Sequence, residues 1–147
     1  MSNAMERTLL IVKPDGVQRG LIGEIVGRVE KRGFKIVGLK MMQVDEELAN
    51  RHYGEHVGKP FFKPLVEFII AAPVVAFAAQ GNDVVKLMRN MIGALNPEDA
   101  APGSIRGDLA LSKSFNVIHG SDSPENGARE VSLFFRDDEL FDYGRDI

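Results

Sequence analysis

Two short stretches of this chain are apolar at nearly every position, residues 8–12 (Thr-Leu-Leu-Ile-Val) and 73–79 (Pro-Val-Val-Ala-Phe-Ala-Ala). A strand wetted on one face alternates apolar and polar side chains, whereas a strand buried on both faces has no reason to alternate. Turn signals close both stretches, Pro14-Asp15-Gly16 after the first and Gln80-Gly81-Asn82-Asp83 after the second. They read as strands. Each therefore demands a sheet covered on both sides, by helices or by a partner subunit.

Around them the period changes to that of helices. Ile22, Ile25, Val26 and Val29 recur at i, i+3, i+4 and i+7, and Gly33 stops them. Residues 34–44 read as a second strand. Asp45 caps a helix carrying Leu48, Ala49, His52, Tyr53 and His56 along one face. Beyond Gly58-Lys59-Pro60, another helix starts with Phe62, Leu65, Val66 and Ile69, and a further one carries Val84, Leu87, Met88 and Met91 up to Gly93. Residues 94–114 read as a long loop with Pro97, Pro102, Gly103 and Gly107, of the length that is usually functional or disordered. Residues 115–118 form a last strand, followed at once by His119. Ser123 and Pro124 then open a helix whose apolar face is Val131, Phe134 and Phe135. The order β-α-β-α-α-β-α-β-α predicts an α+β, ferredoxin-like split β-α-β sandwich with a four-stranded antiparallel sheet and helices. That fold hosts unrelated activities, so function has to be sought in particular residues.

A chain of 147 residues is one domain. It runs over 5–147, with Ser2-Asn3-Ala4 ahead of Met5 reading as an expression-tag scar. There is no cysteine, which excludes disulfides, thiolate metal sites and thiol nucleophiles together and leaves histidine as the natural soft nucleophile. Eighteen Lys+Arg against twenty-one Asp+Glu give a net charge of −3, which argues against a nucleic-acid partner. No apolar run reaches the ~20 residues of a membrane span, and no signal peptide is apparent, so the expected location is the cytoplasm.

Three histidines remain to be weighed. His52 and His56, four apart on a helix, have a spacing that can hold a metal. No third ligand is evident nearby, and packing with one polar tip is the simpler reading. His119 differs, because it stands where a strand gives way to a Gly-Ser-Asp-Ser turn and a helix start, a junction that displays a side chain into a crevice. Lys13 at the end of the first strand is by itself either a solvated lysine or an anion contact. With Arg89 and Arg106 it would make a phosphate site holding an imidazole nucleophile.

Four segments carry a resemblance: Lys13-Pro14-Asp15-Gly16-Val17-Gln18-Arg19-Gly20, His52-Tyr53, Arg106-Gly107-Asp108, and Asn116-Val117-Ile118-His119-Gly120-Ser121-Asp122-Ser123. In this order they resemble the nucleoside diphosphate kinases, in register from Glu6 to about Tyr143. The resemblance implies transfer of the γ-phosphate of a nucleoside triphosphate, typically ATP, to a nucleoside diphosphate by a ping-pong route through a phosphohistidine on His119. It implies that Glu130 supports the ring with Ser121 nearby. It also implies that Lys13, Tyr53, Arg89, Arg106 and Asn116 contact phosphates or ribose, and that the base stacks on Phe61 beside Leu65. Magnesium would arrive on the nucleotide's own phosphates rather than in a carboxylate cage. A homo-oligomer, hexamer or tetramer, is the implied assembly.

Two departures stand out. Leu95 occupies a position where the family usually has threonine, and losing that bond to phosphate costs roughly ten- to a hundredfold. Lys113-Ser114-Phe115 also differs from the small and basic residues usual before the asparagine. Two other readings compete with an active kinase: a nucleotide- or nucleic-acid-binding module on the same fold, and a weakened oligomer whose role is interaction.

Overall fold

The two apolar strands pair with each other at the centre of the sheet, from Arg7 opposite Gln80 to Val12 opposite Val75. The computed structural model describes residues 5–144, so the scar reading for residues 1–4 lies outside the described residues. In chain order the elements are β1 (Arg7–Val12), α1 (Pro14–Gln18), α2 (Ile22–Arg32), β2 (Lys35–Met42), α3 (Glu46–His52), α4 (Phe62–Ile70), β3 (Val74–Gln80), α5 (Val84–Ile92), α6 (Ile105–Leu109), β4 (Ile118–Gly120) and α7 (Pro124–Phe134). Short 3₁₀ turns lie at Gly54–His56 and Asp137–Glu139.

The strand order is β2-β3-β1-β4, with every neighbouring pair antiparallel. β1 and β2 flank β3, and β3 and β4 flank β1. Each helical crossover thus passes an intervening strand, the ferredoxin-like split β-α-β arrangement expected from the element order.

The absence of alternation in β1 and β3 has its expected cause. Leu9, Ile11, Val74, Ala76 and Ala78 face one core with Ala49 of α3, Val66 and Ile69 of α4, and Val131 and Phe134 of α7. Leu10, Val12, Val75, Phe77 and Ala79 face the other with Ile25 and Val29 of α2 and Val84, Met88 and Ile92 of α5. Leu9 through Val12 are wholly buried, and burial of such side chains contributes about 1.5–3 kcal/mol each. Helix α7 lies so close to β1 that a Cβ on Gly127 would meet the Arg7 carbonyl oxygen at 2.3 Å. The β2 edge is different: Leu39 and Met41 project into solvent.

Four local expectations change. Pro14-Asp15-Gly16 opens a short helix instead of a turn, with proline at a first-turn position where its missing N–H is not needed. Residues 94–114 contain α6, capped by Ser104, whose Oγ accepts from the Gly107 N–H. Helix α3 ends at His52, so His56 lies in the following 3₁₀ turn and not on the same helix face. The last strand is Ile118–Gly120, not 115–118, which puts His119 inside it rather than after it. The cause of that shift lies in the site itself.

Candidate active site

β4 begins late because the chain before it is turned. The Ile118 N–H donates to the Asn116 carbonyl at 2.8 Å across Val117, whose φ is +62°. This three-residue turn is costly for a β-branched residue. Two neighbours hold it in place. The Val117 N–H donates to Asp15 Oδ2 at 3.1 Å, and the Lys13 N–H donates to the Val117 carbonyl at 2.9 Å. Gly16 allows the approach, since a Cβ there would fall 2.8 Å from Val12 Cγ1 and 3.0 Å from the Val117 carbonyl oxygen. The Lys13-Pro14-Asp15-Gly16 segment and the Asn116–His119 segment are therefore one interlocked unit.

Register then aims the histidine. His119 pairs with Ile11, which belongs to the core under α3, α4 and α7. Directly opposed residues of an antiparallel pair share a face, so the imidazole points to that side while Ile118 enters the other core. There His119 Nε2 lies 2.9 Å from Glu130 Oε1 of α7. Ser121 Oγ donates to the same oxygen at 2.7 Å and accepts from the Leu9 N–H at 3.0 Å. Burial works to raise the Glu130 carboxyl, but the His119 hydrogen bond and charge and the Ser121 hydroxyl outweigh it, so the group titrates below its ordinary value and stays ionised. A carboxylate only accepts. His119 Nε2 is therefore the donor of that bond, and in the neutral ring Nδ1 holds the lone pair.

That ring lines a cavity of about 1180 Å³ together with Lys13, His52, Tyr53, Phe61, Leu65, Arg89, Leu95, Arg106, Asn116 and Glu130. Ser121 stands behind it, buried, and reaches the cavity only through Glu130. Burial, reinforced by Arg106, lowers the Lys13 ammonium to about 8. Burial and then Arg89 lower the Arg106 guanidinium to about 10. Cations pushed down by burial and by one another have unmet attraction for an anion. Arg106 gives one N–H to the Ile118 carbonyl at 2.7 Å, and among the described residues its buried Nε and the buried Asn116 Oδ1 have no partner. Burial raises the Tyr53 phenol well above its usual value, so it stays a hydroxyl.

The rim is more open. Phe61 is 48 % exposed and meets the His56 ring edge at 5.1 Å between centroids, while Phe62 packs against the core. Leu95 is 56 % exposed on the same cavity.

Two residues have roles at the site that the sequence does not assign them. Asp15 stands in sequence as part of a turn and of the Lys13–Gly20 segment, and nothing local ties it to Val117. Helix spacing sets His52 beside His56, and the resemblance includes it only with Tyr53. The fold instead brings its ring to 4.7 Å from that of His119 and its Nδ1 to 3.9 Å from Glu130 Oε2. Burial, with His119 next, pushes the His52 imidazole down to about 3, so it is neutral.

A histidine with one nitrogen pinned and the other free, in a cavity whose lining includes Lys13, Arg89 and Arg106, is the arrangement of an enzyme suited to phosphoryl chemistry. Comparison with known proteins narrows that class. Residues 6–140 match the family model described as nucleoside diphosphate kinase. A nucleoside diphosphate kinase of Carboxydothermus hydrogenoformans is 58 % identical over 143 residues, covering 97 % of this chain and 96 % of that one. One from Archaeoglobus fulgidus is 53 % identical over 139 residues, covering 95 % and 92 %. Among solved structures, a halophilic nucleoside diphosphate kinase from Halobacterium salinarum in complex with CDP superposes with a TM-score of 0.93 at 53 % identity, over 97 % of this chain and 95 % of that one. The Aquifex aeolicus nucleoside diphosphate kinase gives 0.91 at 42 % identity, over 94 % and 100 %. The chain belongs to the nucleoside diphosphate kinase family.

Proposed function

We propose that this chain performs the family's phosphate transfer between nucleotides with His119 as the group that carries the phosphate. Nδ1 attacks the γ-phosphorus of a nucleoside triphosphate: the Nδ1–P bond forms, the bond from phosphorus to the bridging oxygen breaks, and the nucleoside diphosphate leaves. The ring keeps its Nε2 proton and gains positive charge, which Glu130 stabilises at 2.9 Å. Ser121 holds that carboxylate in place from the other side. The reverse step delivers the phosphoryl group to a second diphosphate, so one cavity serves both halves of the cycle.

A loose phosphoryl transition state asks for positioning and charge stabilisation more than for covalent help. Lys13, Arg89 and Arg106 supply the charge. Tyr53 and Asn116 donate to phosphate or ribose oxygens, and Phe61 beside Leu65 takes the face of the base. Stacking reads a π-face and not a hydrogen-bond pattern, which tolerates different bases. Lys13, Arg89 and Arg106 fit a phosphate chain that brings its own magnesium, an ion that would neutralise phosphate charge when bound. The CDP complex of the Halobacterium relative supports a diphosphate in the equivalent role. Among the described residues no helix is long and apolar enough to cross a membrane, and we assign the chain to the cytoplasm. The solvent-facing Leu39 and Met41 on the β2 edge support a homo-oligomer.

The observation that carries this reading is the pinned Nε2 and free Nδ1 of His119 inside the cationic cavity. Incubation with ATP and magnesium should add one acid-labile phosphate per chain, discharged by any nucleoside diphosphate. If His119→Ala still transfers phosphate, the assignment fails.

A further inference from the structure

His52 is the buried group that phosphate transfer leaves unused. It closes α3, is 3 % exposed, and neither of its ring nitrogens has a hydrogen-bond partner among the described residues. Rings surround it: Tyr53 at 4.6 Å, His119 at 4.7 Å and Phe134 at 5.2 Å between centroids. A neutral imidazole needs one donor contact and one acceptor contact, and buried polar groups without them are rare in folded proteins. Its Nδ1 faces Glu130 Oε2 at 3.9 Å, too far for a hydrogen bond but a natural separation for one atom between them. Glu130 gives its other oxygen to His119 and Ser121. One ligand atom from each of His52, His119 and Glu130 falls within 4.8 Å of the other two.

We propose that His52, His119 and Glu130 form a binding site for a transition-metal dication such as Zn²⁺, and that its occupation switches the enzyme off by reversing the tautomer of His119. The switch rests on His119 being the phosphate carrier; the binding does not. Two imidazoles and a carboxylate with a fourth position open to water are a common zinc ligand set, and nitrogen donors select zinc, copper, nickel or cobalt over magnesium. Four-coordinate zinc with bonds of ~2.1 Å wants its ligand atoms about 3.4 Å apart. With every ligand atom within 4.8 Å of the others, no pair need draw in by more than about an ångström and a half.

The consequence follows from proton bookkeeping. Neutral His119 has one ring proton, on Nε2, where Glu130 accepts it. A metal on Nε2 uses that nitrogen's lone pair, so the proton moves to Nδ1 by way of the solvent in the cleft, with none gained or lost overall. Nδ1 then has an N–H in place of the pair that attacks phosphorus. Nucleotide still enters the cavity, yet no phosphohistidine forms. Magnesium, which prefers oxygen ligands, leaves the tautomer alone.

The test uses the full-length, nucleotide-free protein with its histidine rings labelled with ¹⁵N. With three histidines in the chain, the reading is unambiguous. One equivalent of Zn²⁺ should move the His52 and His119 signals and leave His56 in place, and should turn His119 Nδ1 from an unprotonated to a protonated nitrogen; Mg²⁺ should do neither. Because a histidine held in the wrong tautomer costs about 10⁴ in rate elsewhere, phosphorylation by magnesium–ATP should slow by at least about a hundredfold and recover on chelation. In His52→Phe, which keeps a ring among the rings, zinc affinity should fall by at least the roughly 10–100-fold that loss of an outer-shell partner costs. Zinc signals confined to His56, or spread evenly over all three rings, overturn the site. Zinc seated on His52 and His119 without the tautomer change overturns the switch. If metal-free protein forms no phosphohistidine, the proposed function fails while the titration still decides the site. Should the phenylalanine variant not fold, the labelled wild-type titration decides alone.

Discussion

The floor and the rim of the cavity are built on opposite principles. The floor is β4 with the ends of β1 and α7 beneath it, where His119, Ser121 and Glu130 are fixed by strand register and by a chain of hydrogen bonds starting at the Leu9 amide. The rim is α4 and the 94–115 segment, where Phe61 and Leu95 are about half exposed and contribute surface rather than hydrogen bonds. The difference assigns them different work. A network with every member held serves the charge that develops on a ring, while exposed side chains serve recognition of a nucleotide that comes and goes. Floor substitutions should therefore appear in kcat and rim substitutions in KM.

The largest effect should come from Glu130→Ala, which leaves the His119 Nε2 proton without its acceptor. Single-turnover phosphorylation should drop by about a hundredfold, the upper range for a hydrogen bond to a charged group, with little change in KM. Glu130→Gln, which keeps an accepting oxygen, should recover part of that rate. Equal losses in KM and kcat would erase the division between floor and rim.

Lys13 joins the two regions and supplies a pH signature. Its ammonium, lowered to about 8, loses its proton as pH rises through that value, so kcat/KM should fall about tenfold per unit above it. The unfolded chain holds the same proton to about 10.5 and so binds more protons between the two values. This group's contribution to stability must then rise with pH over that window. Activity falling while denaturant stability gains is an outcome that general alkaline unfolding does not give. Lys13→Arg should carry the activity limb out of the range.

On the rim, Phe61→Ala should raise nucleotide KM by about thirtyfold, the middle of the range for one base on one aromatic face, at nearly constant kcat. Steady-state kinetics with purine and pyrimidine diphosphates would check it, and a fall in kcat alone would move Phe61 to the floor. Leu95→Thr should give the smallest change and in the opposite direction, a gain of about tenfold, the low end of what the missing hydroxyl costs, as it returns to the phosphate region. An unchanged rate would mean that the 94–115 segment already satisfies that phosphate by other means.

Much of this was written locally. The two non-alternating strands required helices on both sheet faces, and the element order led to the split β-α-β sandwich. The Asn116-Val117-Ile118-His119-Gly120-Ser121-Asp122 segment marks its histidine through the resemblance it carries. Other features had no local mark. Whether 115–118 or 118–120 is the strand depends on Asp15, about a hundred residues away, capturing the Val117 amide. A four-residue spacing joined His52 to His56 only as long as the helix ran through both. It stops at His52, and the ring turns inward to His119 and Glu130.

The sequence by itself determined the class of sheet and the helices that cover it, because these follow from periodicity at short range, and its resemblance to a known family named the candidate reactive groups. The tertiary structure alone decided which nitrogen of His119 is free and which cations lose hydration together. It also decided that His52 stands beside His119. Those properties belong to distances between segments far apart in the chain, which pairing register and helix packing set and no local pattern encodes.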